Sequence, residues 1–477
     1  MKIAVAKGDG IGPEIMDAVL NIFKAAEVPL EYQFVEMGVE VYKKGESTGM
    51  TADAKQAIEA NGILFKGPME TPKGKGVKSI NVTARKVWNT YANKRVFKTL
   101  NGVDTVFSKA GIPIDITIVR ENIEDTYGGI EHMMTHDVAL CRRFITRPGS
   151  LQVHRYAFEM AKKKGAKKVT CAHKSNIMKI TDGLFLETFY EVAKAYPMIE
   201  ADDIIIDDLA MKLVSRPDIF DVIILPNLQG DIMSDLCAGL VGGLGFAPSA
   251  NIGHNICIFE AVHGTAPDLV GQNKANPTAL LMSGILMLRH IGLVGKAAQI
   301  EAALHATLMG GSHTADFGNK NSTPLSTGDF ADKIIENLFK TNTTKEDKIT
   351  YSPPKMLAEN PLIQTPYDAG QIIGVDLFVE WNGQPSALGE LVQSKLPAGY
   401  TLSTMTNRGT QVYPTGSVFT ECINQYRVRV ETTDSSAVSQ SEIMNVASIY
   451  YPLMKFCSLE LLMMYGGKKA FSLGQGQ

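Results

Sequence analysis

The feature that most constrains this chain is an alternation over roughly its first 340 residues. Short apolar runs give way repeatedly to segments with helical spacing. "KIAVAKG", "GILFKGP", "DITIVRE", "KKVTCAHK", "ADDIIIDD" and "DVIILPN" read as short buried strands. Residues 14–26, "SLQVHRYAFEMAKKKG" and "TDGLFLETFYEVAKAY" carry helical periodicity, and the first of these opens just after Pro13, a residue suited to a first helical turn. Strand–helix alternation of this kind predicts α/β layers.

The full length of 477 residues exceeds what one core supports, so two or three domains are expected. Residues 340–355, "KTNTTKEDKITYSPPK", are polar and charged and end in Pro-Pro, the character of a linker. A second set follows. "QIIGVDLFVEW" reads as a strand, "PSALGELVQSKL" as a helix, "GYTLSTMTNRG" and "QYRVRVETT" as strands, and a long helix is expected over 439–464. That order, β-α-β-β-α, predicts a small α+β domain. It holds almost no clustered reactive side chains and reads as a packing or assembly module.

The net charge of −3 gives no general attraction to nucleic acid or anionic membrane. No apolar run reaches the roughly 18 residues of a spanning helix. The start, "MKIAVAKGDG", reads as a strand entering a turn and lacks the regions of a secretory signal. The six cysteines (141, 171, 237, 257, 422 and 457) form no CxxC pair and mostly have apolar neighbours, which fits buried thiols in a reducing compartment. A cytoplasmic protein is expected, or a mitochondrial-matrix one whose targeting segment was removed.

Several stretches carry candidate chemistry. "GDGIGPE" approaches a dinucleotide fingerprint but fails it, because Pro13 stands where the third glycine belongs; a tight strand-to-helix turn is the plainer reading. In "PNLQGDIMSD", a helix starting near Gly230 would place Asp231 and Asp235 one turn apart on one face. Two such oxygen donors suit Mg²⁺ or Mn²⁺. An acidic first turn complementing the helix dipole has the same spacing, and both readings stand at this point. The Asp207-Asp208 doublet, placed at the end of a strand, offers a further carboxylate where α/β proteins present ligands. Arg85, Arg95 and Arg120, with Ser79 and Asn81 nearby, would suit a substrate bearing several carboxylates, although each arginine alone is ordinarily a surface residue. Tyr127 and Lys174, the latter followed by Ser175-Asn176, are candidate proton carriers or plain polar rim residues.

Taken in order, "GDGIGPE", "RENIEDTYGGIEH", "HKSNIMKITDG", "NLQGDIMSDLCAGLVGGLG" and "FEAVHGTAPDLVGQNKANP" resemble the signatures of the β-decarboxylating dehydrogenases that act on isocitrate, 3-isopropylmalate and homoisocitrate. The resemblance spans roughly residues 1–340. "VDLFVE", "SALGE" and "NRGTQVYP" look like the extra C-terminal domain of the longer, homodimeric bacterial-type isocitrate enzymes.

The resemblance implies a non-Rossmann α/β fold, with a large domain (1–92 and 244–340), a small domain making dimer contacts (93–243), a linker (341–358) and a C-terminal α+β domain (359–477). It further implies a homodimer with shared sites. Arg85, Arg95 and Arg120 would clamp substrate carboxylates, with Ser79 and Asn81 beside them and Thr71 on the closing loop. Asp231 and Asp235 would hold Mg²⁺ or Mn²⁺ together with Asp207 of a second copy, Tyr127 would be the acid, and Lys174 of the second copy the proton relay. Asn176, His263, Gly264, Thr265, Ala266 and Asn276 would line the coenzyme. Small hydrogen-bonding groups at 79 and 81 would go unpaired against a branched alkyl chain, at about 1–3 kcal/mol each, so isocitrate is expected over isopropylmalate, with homoisocitrate a weaker competitor. NADP-using members place lysine and tyrosine where this chain has Asp268 and Leu269. A carboxylate accepts from ribose hydroxyls and repels a phosphate, so NAD is expected and NADP is the alternative.

Overall fold

The computed structural model describes residues 1–71, 79–318, 321–340, 347–351 and 368–473. They form two compact units, one of residues 1–128 and 144–359, the other of 129–143 and 360–477.

The first unit is built on strands β1 (Lys2–Ala6), β2 (Glu31–Phe34), β3 (Ile63–Lys66), β4 (Ala92–Lys98) and β5 (Asp115–Glu121). A separate hairpin, β6 (Glu131–Met133) and β7 (Ala139–Cys141), belongs to the second unit. The first unit continues with β8 (Lys168–His173), β9 (Glu200–Ile205), β10 (Val222–Leu225), β11 (Pro248–Ile252) and β12 (Cys257–Ala261). The ten strands make one sheet, ordered β2-β1-β3-β12-β11-β4-β5-β10-β8-β9. Two parallel wings meet through antiparallel pairings at β12–β11, β11–β4 and β4–β5. Apolar side chains point to both faces. Val222 and Ile224 join the core beneath helices Arg147–Lys164 and Thr181–Ala193, while Ile223 and Leu225 join the core beneath Ile206–Ser215 and Asn227–Leu240. Strands covered on both faces read as continuous apolar runs, which is why "DVIILPN" was legible.

Corrections arise at element ends. The helix expected near Gly230 begins three residues earlier, at Asn227, so Asp231 and Asp235 leave the first turn and the dipole-capping reading loses its geometry. "ADDIIIDD" divides: β9 stops at Ile205, and Asp207-Asp208 occupy the first turn of the Ile206–Ser215 helix rather than a strand end. Three cysteines are buried, but Cys141 and Cys422 are exposed, and all six are free thiols. The expected linker, 341–358, lies outside the described residues except for 347–351. That stretch is anchored: the Asp347 carboxylate accepts from the backbone N–H groups of Gly295 and Lys296, and the Tyr351 hydroxyl donates to the Asn255 carbonyl.

The second unit adds β13 (Gln371–Glu380), β14 (Tyr400–Asn407), β15 (Thr410–Tyr413), β16 (Gln425–Thr432), β17 (Lys455–Tyr465) and β18 (Lys468–Lys469), in the order β15-β14-β16-β13-β17-β18. Helices Pro385–Ser394 and Gln440–Tyr450 share a core with Val375, Leu377, Val428 and Val430. The α+β class stands. The long helix over 439–464 does not: it ends at Tyr450, just before Pro452, and "KFCSLELLMMY" is β17. Proline lacks the N–H that the next helical turn needs and clashes with the preceding carbonyl, so the apolar run beyond it pairs with β13.

His154, on Arg147–Lys164, is fully buried against Phe185, with ring centroids 4.4 Å apart. Neither ring nitrogen has a hydrogen-bond partner of normal geometry. Burial drives its pKa down to about 3, opposed only by the nearby Thr188 backbone. The folded-state pKa lies below the unfolded one, so the stability this residue allows is present above pH 6.5 and lost as pH falls toward 3. Between pH 7.5 and pH 5 that amounts to about 2 kcal/mol, from 1.36 kcal/mol per unit. His154→Leu is expected to lose about that much less stability than the parent over this interval, as read from denaturant midpoints at the two pH values. Parallel losses would refute it.

Candidate active site

The candidate site gathers at the C-terminal ends of β5 and β10, where α/β folds present ligands. Arg120 sits next to the last residue of β5, in register with Leu225 of β10, and the chain turns at Pro226 into the helix carrying Asp231 and Asp235. Arg120 is 1% exposed. Its Nε and Nη2 both donate to the Asn227 Oδ1, at 2.9 and 2.7 Å, and its Nη1 donates to Asp231. The approach is so close because residue 230 is glycine. A Cβ there would stand 2.7 Å from the Arg120 Cγ and 2.8 Å from its Cβ.

Arg95, on β4, reaches the same helix from another side. Its Nη1 donates to the Ser234 hydroxyl at 2.6 Å and lies 3.7 Å from Asp235; its Nη2 is 3.4 Å from Asp231, and its Nε donates to the Asn93 Oδ1 at 2.7 Å. The Tyr127 hydroxyl donates to the other oxygen of Asp231 at 2.6 Å, and the Arg120 guanidinium lies 4.8 Å from the Tyr127 ring centre. Burial alone would raise the Asp231 pKa. Arg120, then Arg95, the Tyr127 hydroxyl and Arg85 outweigh it, and the carboxyl falls below its ordinary range. Asp235 moves the other way: burial raises it, Asp231 adds to the rise, and Arg95 and Arg120 only partly offset it. Burial, and then the hydrogen bond to Asp231, raise the Tyr127 phenol and keep it protonated at neutral pH.

Arg85, on the Ile80–Val87 helix, donates from Nη2 to Glu260 at 3.0 Å, while its Nε is buried without a partner. The Asn81 Oδ1 is also buried and unpartnered. The Ser79 hydroxyl caps this helix at Val82 and accepts from the Thr71 hydroxyl at 3.2 Å. Unsatisfied buried polar atoms carry a desolvation penalty until a ligand pairs them. These are the observations on which a polar substrate fits.

Some partners were not anticipated from sequence. Lys66 pairs with Glu260 at 2.5 Å, both nearly fully buried. Lys66 and Arg85 hold the Glu260 carboxyl well below its ordinary range, although burial by itself raises it. Lys86 donates to the carbonyls of Tyr127 and Gly128 at 2.5 and 3.3 Å, tying down the tyrosine turn. The only sequence signal for Lys66 was a lone lysine ending the buried run "GILFK"; Lys86 had none beyond its adjacency to Arg85.

Lys174 and Asp207 form a different group. The Lys174 ammonium donates to Asp207, and its backbone N–H donates to the buried Asp182 carboxylate at 2.6 Å. Asn176 is exposed just beyond them. Neither Lys174 nor Asp207 joins the Asp231 contacts within the chain. Among the described residues, no three His, Cys, Asp or Glu side chains stand together as an ion site. Asp231 and Asp235 nonetheless fit a hard divalent ion, with side chains 36% and 59% exposed and oxygen donors only.

Of the expected coenzyme residues, His263, Gly264, Ala266, Leu269 and Asn276 line a cavity of about 470 Å³, with Ile11, Leu244 and Asp316 among its other walls, whereas Asn176, Thr265 and Asp268 do not line it. "GDGIGPE" braces this region. Gly10 has a φ of 62°, and a Cβ there would lie 2.2 Å from the Thr265 carbonyl. The Glu14 carboxylate accepts from the N–H groups of Asn273 and Ala275, at 3.1 and 3.2 Å. His263 is kept neutral by burial; its Nδ1 lies 3.0 Å from the Gly264 carbonyl, and its Nε2 is buried and unpartnered. The Asn276 Nδ2 donates to Asp316 at 3.0 Å. Gly264 lies in this loop, Ala266 adopts a φ of 41°, and Asp268 is exposed on the short helical turn it shares with Leu269.

Residues 2–334 match the family model described as isocitrate/isopropylmalate dehydrogenase. The chain belongs to this family. Residues 370–477 match the model for the bacterial isocitrate dehydrogenase C-terminal domain. Among similar proteins, the isocitrate dehydrogenase [NADP] of Thermus thermophilus is 42% identical, over 100% of this chain and 96% of its own. That of Rickettsia bellii is 37% identical over 100% and 99%. The isocitrate dehydrogenase [NAD] catalytic subunit 6 of Arabidopsis thaliana is 46% identical over 71% of this chain and 88% of its own. The crystal structure of the TT0538 protein of Thermus thermophilus superposes with a TM-score of 0.91 at 41% identity, covering 100% of this chain and 96% of that one. Isocitrate dehydrogenase of Methylococcus capsulatus gives 0.67 at 43%, covering 71% and 99%. Among the described residues, no helix is long and apolar enough to cross a membrane.

Proposed function

We propose that this protein oxidises and decarboxylates isocitrate to 2-oxoglutarate and CO₂, with NAD as the hydride acceptor and Mg²⁺ or Mn²⁺ required. The observation that carries the reading is the Asp231 carboxylate held jointly by Arg120, Arg95 and the Tyr127 hydroxyl, with Asp235 open one turn away. Two buried guanidinium groups beside these carboxylates, with Arg85 near them, support a substrate bearing several carboxylates. Residues 93–243 contribute most of this constellation, and residues 1–92 and 244–340 contribute Arg85 and the coenzyme loop, so the two halves of the sheet would act as the small and large domains of a cleft.

Each residue has a task. Arg85, Arg95 and Arg120 bind the carboxylates, and Ser79 and Asn81 pair the remaining oxygens, with Thr71 alongside. A divalent ion at Asp231 and Asp235, completed by Asp207 of a second copy in a homodimer, would supply polarisation of the hydroxyl oxygen on the carbon that is oxidised. Lys174 of that copy, acting as the neutral amine after giving up its ammonium proton, takes the hydroxyl proton as hydride leaves the hydroxyl-bearing carbon for the nicotinamide. Loss of CO₂ leaves an electron pair on carbon, and Tyr127 protonates it. In the coenzyme cavity, the free Nε2 of His263 is an acceptor for an adenine amine, Gly264 to Ala266 form the turn, and Asn276 and Asn176 complete the contacts.

Tyr127→Phe removes the proton but keeps the ring. It is expected to slow isocitrate turnover by about 10²-fold or more while leaving reduction of added oxalosuccinate much less affected. Equal losses in both reactions would contradict an acid-only role.

The coenzyme has two readings. Asp268 and Leu269 support NAD, whereas the full-length relatives named above carry NADP in their names. Steady-state assays with isocitrate, Mg²⁺ or Mn²⁺ and each coenzyme decide: preference for NADP replaces the first reading, and no reduction of either sinks the function. Asp268→Lys with Leu269→Tyr is expected to shift the ratio of kcat/KM values at least about tenfold toward NADP, the equivalent of 1.4 kcal/mol. An unchanged ratio refutes the role given to this turn.

A further inference from the structure

We propose that Asp125 is a positioning residue for Tyr127, fixing the tyrosine turn to the helix that carries Asp231. The proposal rests on the reading of Tyr127 as the acid and identifies what sets the acid in place.

Asp125 is fully buried and opens the short helical turn Asp125–Gly128. Its φ is 65°, the left-handed region, where aspartate and asparagine are the most tolerant residues after glycine. Its carboxylate faces two ways. Oδ1 accepts from the N–H of Thr126, 2.8 Å away and next to Tyr127, and Oδ2 accepts from the N–H of Leu228 at 2.9 Å.

Leu228 is the second residue of the Asn227–Leu240 helix, which starts at Pro226 with no side-chain cap of its own. The first N–H groups of a helix have no partners within it. Asp125 therefore supplies, from another element, the acceptor that this helix lacks, and the negative end suits the helix dipole. The same helix carries Asp231, which accepts the Tyr127 hydroxyl proton bond at 2.6 Å. One carboxylate thus bridges both sides of the catalytic contact.

Neighbouring bonds hold this turn from outside. The N–H of Asp125 donates to the Phe144 carbonyl at 3.0 Å, and the carboxylate of Glu124 accepts from the N–H of Thr146 at 2.7 Å and from its hydroxyl. These fix the turn to the segment before the Arg147–Lys164 helix. The Asp125 carboxylate and the Asn227 amide, which donates to the Glu124 carbonyl at 3.4 Å, link it to the start of the Asp231 helix. A shift of the turn by a fraction of an ångström would leave the fold intact and misplace the phenol.

The test is Asp125→Asn, which keeps size and left-handed tolerance and removes one of the two charged acceptors. Isocitrate turnover is expected to fall about 10- to 100-fold, the scale of a misplaced group. KM for isocitrate and reduction of oxalosuccinate are expected to change less than about threefold. Combined with Tyr127→Phe, the substitution is expected to add nothing to the tyrosine variant's loss, because it acts through that hydroxyl. Parallel loss of both reactions, or an additive double variant, overturns the proposal. Asp125→Gly, which accepts the same φ without strain, is the second variant, and the same pattern is expected. If neither variant folds, Asp125 is a folding residue and the proposal fails. Absence of isocitrate activity in the parent would instead sink the functional reading.

Discussion

Asp231→Asn is expected to lower kcat for isocitrate by at least about 10³-fold while KM for isocitrate rises no more than a few-fold. Arg120 and Arg95 are almost fully buried and share this one carboxylate, which also accepts from Tyr127. Asparagine keeps the shape but removes the charge that neutralises two guanidinium groups, and removing one partner of a buried pair costs about 3–5 kcal/mol. Asp231 is about one-third exposed, so the loss of stability should fall at or below the low end of that range. The uncompensated arginines still attract a carboxylate, which keeps ground-state binding. Missing are a hard ligand for the ion and the acceptor that orients the tyrosine. The concentration of Mg²⁺ or Mn²⁺ giving half-maximal rate should rise in parallel. A kcat within tenfold of the parent, or a KM that carries the whole effect, would remove Asp231 from the centre of the site.

Gly230→Val is expected to reduce kcat/KM by about 10²-fold or more and to destabilise the protein by about 1–3 kcal/mol. Replacing a glycine inside a helix ordinarily helps it; for alanine the gain is about 1 kcal/mol. Here the sign reverses. The first atom of any side chain at 230 would fall 2.7 Å from the Arg120 Cγ and 3.3 Å from its Cα, and the latter belongs to the interior strand β5 and cannot retreat. The guanidinium would be driven off Asn227 and Asp231 together. Gly230→Ala should show the same direction with smaller size. A thermal midpoint equal to or above the parent's in both variants, with unchanged kinetics, would show that the close approach has no consequence.

Much of the site was legible in the sequence as types and spacings. Three arginines, two aspartates four apart and a tyrosine seven residues past Arg120 were recognisable because their motifs come in a fixed order, and the structure brings Arg95, Arg120, Tyr127, Asp231 and Asp235 into one set of contacts. Lys174 and Asp207 pair with each other instead. Their expected role is in the site of a second copy. Glu260 and Lys66 went unread because this buried ion pair joins neighbouring strands, β3 and β12, that are far apart in the sequence, and no local pattern marks it.

The errors fell where local periodicity was ambiguous. The apolar run from 439 to 464 satisfies helical spacing up to Tyr450 and strand alternation from Lys455, and the proline between them was the signal that decides. Asp207 passed for a strand end because "DIIIDD" has no turn residue to stop the strand, yet the helix starts within it.

Residue order alone was enough for the buried strands, the layer class and the stock of cationic and acidic groups, since apolar periodicity and residue chemistry are local properties. Only the three-dimensional arrangement set the close fit of Arg120 on Gly230, the capping of the Asn227–Leu240 helix by Asp125, and the bracing of the Asn273 and Ala275 N–H groups by Glu14. Each of these depends on atoms far apart in the chain meeting within about 3 Å, the range over which hydrogen bonds and steric exclusion act, and only the completed fold sets such distances.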